Sequence, residues 1–425
     1  MATIIVIAAT VFVVAVLERV TAERDIAARP RRIPLWCTLA FCAIVLVSRR
    51  PDMVVHPQFW AEDAYFFERA YTIGWRALFV PYAGYFHTIP RLVGLLAVHC
   101  DPAFAPGLFV GAAAALTLYV AARTQSRRSP FSGFVWSALA VVMIPDAFEI
   151  LLTIVNLQWI LAGGLFLLLV AQDAETTAQK IHDLSVAVLL SLTGPFSVIF
   201  ASLFAIRAWR RRSRASTWLA AIVGTCAAIQ AWSIVTHPLP RETGAIQPRF
   251  LLADTGTRIF GSLTFGRWLP ADLSLTAATM MGVVTLMAVA LLAARPGPQR
   301  VERTLVGFGF FGLLASSLYR CRFSLPALEN PPFGARYFFP LQLAVVWLVI
   351  HALGAQRRSI AIASAMFLVI TFVANLPRLR ERALVDQHWA DAVPKIRAGE
   401  AVVVPINPPG WTMALPPRPT RRPRP

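Results

Sequence analysis

Runs of apolar residues recur along the whole chain, separated by short polar stretches rich in arginine. A helix that crosses a bilayer needs about 17–25 such residues. The runs at 2–17, 33–48, 131–144, 157–171, 218–235, 273–294, 305–319, 337–354 and 360–376 read as spans. The run 183–206 carries Thr193-Gly194-Pro195 in its middle. Pro removes a helix hydrogen bond and Gly loosens the backbone, so a broken helix or a tight hairpin is expected there. Between 89 and 122 a short run (Leu92 to His99) precedes a Cys-Asp-Pro break and a longer run (Phe104 to Ala122). Either one of these is re-entrant or the charge rule fails there. The pattern predicts an all-α, polytopic transmembrane bundle of on the order of 10–12 spans, some short or re-entrant.

Basic residues orient the spans, because cytoplasmic loops collect Lys and Arg. Loop 18–32 holds Arg19, Arg24, Arg29, Arg31 and Arg32 against three acids, and further clusters lie at 123–128, 207–214, 295–304 and 357–358. Segments 49–88, 236–272 and 320–336 and the tail from Arg378 then fall outside. The tail's own positive charge runs against this placement, and the alternation of spans is given the greater weight. Within 49–88, Phe59, Phe66, Ala70 and Ile73 recur at helical spacing, which predicts a helix lying in the interface. Two regions follow: a transmembrane module over 1–376 and an extracytoplasmic tail over 377–425 with a disordered Pro-rich end.

Composition agrees: 57% of residues are hydrophobic, 15% are charged, and the mean hydropathy is +0.61. A net charge of +18 raises nucleic acid as a partner. No aromatic-basic module accompanies it, so the charge is assigned to orientation. The cysteines Cys37, Cys42, Cys100, Cys226 and Cys321 read as small hydrophobes and not as a disulfide or metal framework. No basic residue precedes the first apolar run, so a retained span is expected and not a cleaved signal peptide.

Chemistry concentrates where ionisable residues meet these runs, since such groups are costly beside hydrocarbon unless paired or used. Glu62 and Asp63, flanked by Trp60 and Tyr65, are the sharpest candidates for a general base. The plain alternative is that acids in a helix's first turn complement its dipole. Tyr85, His87 and Arg91 follow in an aromatic turn. Arg91, one residue after Pro90, sits at a helix start where a cation is disfavoured, so an acid or a lipid phosphate is expected beside it; snorkelling to headgroups is the alternative. Glu149, Asn156 and Gln158 fall at the outer ends of two spans, with Trp159 read as an aromatic-belt residue. Arg336, before Tyr337, runs against the positive-inside tendency, and its planar guanidinium suits a phosphate. Phosphate-loop, dinucleotide, zinc-pair and serine-elbow motifs are absent from the sequence.

With these residues in place, the chain resembles the bacterial polytopic glycosyltransferases of the GT-C superfamily. The likeness rests on paired acids in a first large outer loop (Trp60-Ala61-Glu62-Asp63) and on the patches Pro145 to Trp159, Leu192-Thr193-Gly194-Pro195 and Gly334-Ala335-Arg336-Tyr337-Phe338. It departs in having adjacent acids, not spaced as Asp-x-Asp, and an extra first span. The resemblance implies an enzyme of the bacterial inner membrane that moves a sugar from a polyprenyl-phosphate donor to an envelope glycan or lipid acceptor. Asp63 or Glu62 would be the base, and Arg336 with Arg91 would hold the leaving phosphate. Asn156 and Gln158 would line the sugar pocket, and the tail with Trp411 would cap it. A divalent cation, Mg or Mn, is compatible with it but not required. A transporter or lipid-linked-sugar flippase is the competing class, since it too uses broken helices and buried charge.

Overall fold

The computed structural model describes residues 33–132, 134–145, 147–238, 248–270, 272–297, 299–321 and 334–418. The expected first span and its arginine loop, Asp146, Glu329 to Phe333 and the Pro-rich terminus lie outside these residues. In chain order the α-helices of five residues or more are α1 (Leu35–Arg49), α2 (Pro51–Val55), α3 (Glu62–Ile73), α4 (Thr88–Ala97), α5 (Ala105–Thr124), α6 (Val135–Met143), α7 (Leu157–Val170) and α8 (Thr177–Ser191). They continue as α9 (Phe196–Arg211), α10 (Arg214–Thr236), α11 (Arg249–Thr255), α12 (Leu275–Ala294), α13 (Arg300–Cys321), α14 (Phe339–Ala352), α15 (Arg358–Asn375) and α16 (Trp389–Ala398). Among the described residues, six stretches are long and apolar enough to cross a membrane: Pro102–Thr124, Arg214–Thr236, Leu275–Ala294, Arg300–Cys321, Ala335–Ala352 and Arg358–Arg378. The chain is thus a mostly helical membrane protein.

Apart from Gln158 in its first turn, helix α7 is apolar all round, and all of its residues are buried, as are those of α14 apart from His351. A helix without a polar face belongs inside a bundle, and these two form its centre. The outer helices α12 and α15 turn Met287, Leu291, Val369 and Val373 outwards, as lipid-facing helices do.

At one end of the bundle, arginines that the sequence uses for orientation also close helix ends. Arg207 donates to the carbonyls of Leu168 (2.9 Å) and Ala171 (3.0 Å) beyond α7's last turn and pairs with Asp173. Arg211 bridges Asp173 and Glu302, and Arg128 pairs with Asp183. Cations at a helix C-terminus satisfy orphan carbonyls and favour its dipole.

The opposite end carries the C-terminal unit. There α16 packs on an antiparallel hairpin of β1 (Val402–Ile406) and β2 (Trp411–Leu415), with Val402 opposite Leu415 and Ile406 opposite Trp411. This hairpin corrects the all-α expectation. Trp389 seats the unit with its ring 5.0 Å from Phe59 and its Nε1 donating to the Pro102 carbonyl at 2.9 Å.

Four further expectations resolve. Residues 183–206 form a hairpin: α8 rises from Asp183 to the break and α9 returns to Arg207. Within 89–122, α5 is the long helix. Ten-residue α4 is about 15 Å long, and both flanks lie at the capped end, where Thr88 bonds Leu192 and Asp101 pairs with Arg397. The loop expected outside, 236–272, is not a solvated coil in its second half. There α11 and a π-helical turn (Gly256–Gly261) pack along α12, and Ser262–Thr264 packs on α15, where Asn375 donates to the Ser262 and Leu263 carbonyls. Likewise the helix expected at the interface, α3, buries Phe66 and Ala70 and leaves Ile73 partly exposed.

The approach of α11 to α12 depends on glycine. A Cβ on Gly256 would lie 2.1 Å from the Ala278 carbonyl oxygen, and one on Gly282 2.0 Å from that of Leu252. Gly224 meets nothing within 4 Å. Gly256→Ala should therefore destabilise the detergent-solubilised protein by about 1–3 kcal/mol, while Gly224→Ala leaves stability unchanged or raises it by up to about 1 kcal/mol. Thermal unfolding of the two variants side by side checks the close contact.

Candidate functional site

The helix break is the floor of the site. Gly194 donates its N–H to the Phe86 carbonyl (3.1 Å), Thr88 to the Leu192 carbonyl (3.0 Å), and Ile89 to Thr193 Oγ1 (3.1 Å). Gln230, fully buried on α10, staples both strands of this contact. Its Oε1 accepts from the Phe86 N–H (2.8 Å), and its Nε2 donates to the carbonyls of Phe86 (3.1 Å) and Gly194 (3.0 Å). Gly194 has φ +92°, and a Cβ there would lie 2.6 Å from Gln158 Oε1. Only glycine permits this turn against Gln158. The lone Gln within an apolar run was the available sequence signal for Gln230, and the sequence reading passed over it.

Above this floor lies a cavity of about 380 Å³. It gathers Glu62, Tyr85, His87, Asn156, Gln158, Arg336 and Tyr337 from four separated parts of the chain, all of them expected site residues. Tyr82, Trp159, Ser316, Ser317 and Arg320 also line it. Arg320 carried the same signal as Arg336, a cation at the outer end of a span, and was not singled out. Trp159 stands edge-on to Tyr337 (4.9 Å) and Phe196 (5.2 Å), as a wall of the cavity and not in an aromatic belt.

Glu149 binds Arg336 at 2.8 Å beside this cavity, and Asn156 Nδ2 holds the Glu149 carbonyl at 2.9 Å. Ser317 donates to the Tyr337 carbonyl at 2.9 Å, fixing the turn that presents Arg336. Glu62 begins α3 after Ala61, whose φ of +42° is costly for a residue with a Cβ. The Ala61 N–H donates to the Asn407 carbonyl at 2.5 Å, so the C-terminal unit holds this strained backbone in place. Burial, and then the Glu62 carboxylate close by, push the Tyr82 phenol up from its ordinary value.

Four expected residues lie elsewhere. Asp63 is 1% exposed and is not among the lining residues; its carboxylate accepts the N–H of Val155, a residue of the cavity wall, at 2.8 Å. It ties α3 to the segment that bears Asn156. Burial pushes its pKa up to about 8, Glu62 adds to the rise, and the Val155 N–H opposes it. Trp60 packs edge-on to Phe148 at 5.4 Å. Arg91 is fully buried; it donates to the Val80 carbonyl (2.9 Å) and lies over the rings of Tyr65 (4.9 Å) and Phe66 (4.8 Å). These contacts replace the acid or lipid phosphate expected beside it. Trp411 lies on the half-exposed β2 strand and does not line the cavity.

His87 is 1% exposed, set among Tyr85 (4.7 Å), Phe66 (5.4 Å) and Tyr82 (5.7 Å). Burial, reinforced by the Arg91 charge, lowers its pKa to about 3, so it is neutral at physiological pH. A divalent cation is held by several oxygen ligands. Among the described residues no three His, Cys, Asp or Glu side chains stand together, and Glu149 is committed to Arg336. The donor set does not fit a bound Mg or Mn ion.

No family model, curated protein or solved structure matches the chain.

The two shifted groups give opposite pH dependences. Asp63 has a folded pKa (about 8) above its ordinary 3.8, so the stability it contributes is full below pH 3.8 and is lost as pH rises to about 8. His87, lowered from 6.5 to about 3, contributes stability that is lost as pH falls through that window. Of the pair, only Asp63 acts between pH 6.5 and 8. Wild-type stability should fall there by about 1–2 kcal/mol more than that of Asp63→Asn, which mimics the neutral carboxyl. Unfolding temperatures across this window are the check; parallel slopes would mean that Asp63 is ionised behind the wall.

Proposed function

We propose that this protein is an inner-membrane glycosyltransferase with a GT-C-like plan. It would take a sugar from a polyprenyl-phosphate donor and pass it to a cell-envelope glycan or lipid acceptor on the extracytoplasmic face. The observation that carries this reading is the single cavity that joins a carboxylate, Glu62, to two guanidiniums, Arg320 and Arg336, between aromatic walls.

An acceptor hydroxyl must lose its proton as its oxygen attacks the sugar carbon. Glu62 is the cavity carboxylate able to take that proton; Asp63, sealed behind the wall, positions the Val155–Asn156 segment instead. The bond from the sugar carbon to the phosphate oxygen breaks as the new bond forms, and both electrons of the broken bond stay on the phosphate. Arg336 and Arg320 neutralise that charge as it develops, which is where a preorganised site gains most. Glu149 keeps Arg336 aimed before the donor arrives. The arginine-rich end supports a cytoplasmic placement for that face, with the capped end outside.

Purified protein supplied with labelled polyprenyl-phosphate sugars and membrane acceptors should transfer label. Glu62→Gln should lower turnover about 10²–10⁴-fold, with Asp63→Asn affected far less. Arg336→Lys keeps the charge but loses the planar fork, and donor affinity should fall about tenfold to a hundredfold with acceptor affinity unchanged. Full turnover in Glu62→Gln would remove the base from the scheme, and unchanged donor affinity in Arg336→Lys would remove the phosphate site.

A further inference from the structure

Away from the candidate site, a cleft of about 600 Å³ lies between α12 and α15. Both helices pack on α14, which supplies the floor through Val345, Leu348 and Val349. The cleft runs from Ile259 and Phe260 of the π-helical turn to Arg295, directly after α12, and to Ile360 in the first turn of α15. Its lining is apolar apart from Thr285, Ser364 and Arg295, and Arg295 is the one charged residue on it. Thr285 donates to the Met281 carbonyl of its own helix at 2.8 Å.

Arg295 stands at the arginine-rich end. Helix α13 begins there at Arg300 and carries Arg320 of the Glu62 cavity in its last turn, and a helix of that length spans about 30 Å. The charged mouth of the cleft and the Glu62 cavity therefore lie at opposite ends of the bundle. The ion pairs of the arginine-rich end go to other cations: Asp173 to Arg207 and Arg211, Asp183 to Arg128, and Glu302 to Arg211. Arg357 and Arg358 are exposed next to Ile360, and the Arg295 guanidinium meets the His351 ring at 3.3 Å. Among the described residues none of these three arginines has a carboxylate partner.

This arrangement selects an amphiphile. A water-soluble anion would use the mouth and leave the apolar trough bare. A neutral chain would fill the trough and leave the guanidiniums without a counter-charge. A zwitterionic headgroup brings its own ammonium against them. A chain that ends in a net negative phosphate satisfies both parts, and basic pockets between spans on the cytoplasmic side suit such headgroups. We propose that the cleft between α12 and α15 holds an acyl chain of an acidic phospholipid, with its phosphate at Arg295, Arg357 and Arg358. The lipid then acts as packing between two helices of the bundle, and the site stands independently of the transferase reading.

Native mass spectrometry of the full chain tests it, with phosphatidylglycerol and phosphatidylcholine of the same acyl chains as probes. The first phosphatidylglycerol should bind about tenfold or more tightly than the first phosphatidylcholine. Arg295→Gln and Arg357→Gln should each lower that preference about fivefold. Arg210→Gln removes an exposed cation of the same end on α9, which does not line the cleft, and should leave the preference unchanged. Ala363 is exposed on the lining, so Ala363→Trp fills the trough without entering the core and should abolish tight binding of the first lipid. Equal affinity for the two lipids, an equal loss in Arg210→Gln, or unchanged binding in Ala363→Trp would overturn the site. A wild type that holds no lipid tightly would mean that another part of the chain covers the cleft, and polyprenyl phosphate binding there more tightly than phosphatidylglycerol would make it a substrate path. Either result would also overturn the proposal.

Discussion

A helix that breaks beside hydrocarbon leaves N–H and C=O groups that water cannot reach, and each one left unpaired costs about 1–3 kcal/mol. Here the break at Thr193-Gly194-Pro195 is completed by a second irregular segment, Phe86 to Ile89, with the Gln230 amide bonded to both. Two irregular stretches that would each be untenable alone become one closed unit. The cavity stands on that unit. Irregular backbone at membrane depth is tolerated where it lines a cavity, and this one brings His87, Gln158 and Phe196 to a common surface.

Charge is used differently at the two ends of the bundle. At the arginine-rich end Arg128, Arg207 and Arg211 are engaged with backbone carbonyls and with Asp173, Asp183 or Glu302, a structural role. At the capped end Glu62, Arg320 and Arg336 line open space, with Glu149 paired to Arg336 beside it. The C-terminal unit belongs to this second arrangement, because Asn407 holds the strained Ala61 that precedes Glu62. It grips the site from behind, while Trp411 stays on its outer side.

Much of this was legible in the sequence. Helix periodicity and arginine clusters located most helices and both ends, and polar residues at span ends picked out Glu62, Asn156, Gln158 and Arg336. What could not be read was direction. Glu62 and Asp63 are neighbours with identical credentials, yet the rotation of about 100° between successive helical residues puts the first on the cavity lining and the second in the wall. Arg91 has the chemistry of an anion ligand but finds aromatic faces. The β hairpin was written in Val402-Val403-Val404 and the turn residues after Asn407, and was masked by the tail's high proline content. The packing of α11 on α12 depends on Gly256 facing Gly282, a long-range match that local patterning does not carry.

In the proposed function, one cavity open at the outer face receives a lipid-linked phosphate. Ser316 is an exposed residue on its lining, so Ser316→Cys in a background without native cysteines reports on it directly. In intact cells an impermeant thiol reagent should label this position, and purified protein should lose the labelling when polyprenyl phosphate is added. Labelling that needs permeabilised cells, or that polyprenyl phosphate leaves untouched, would contradict the account.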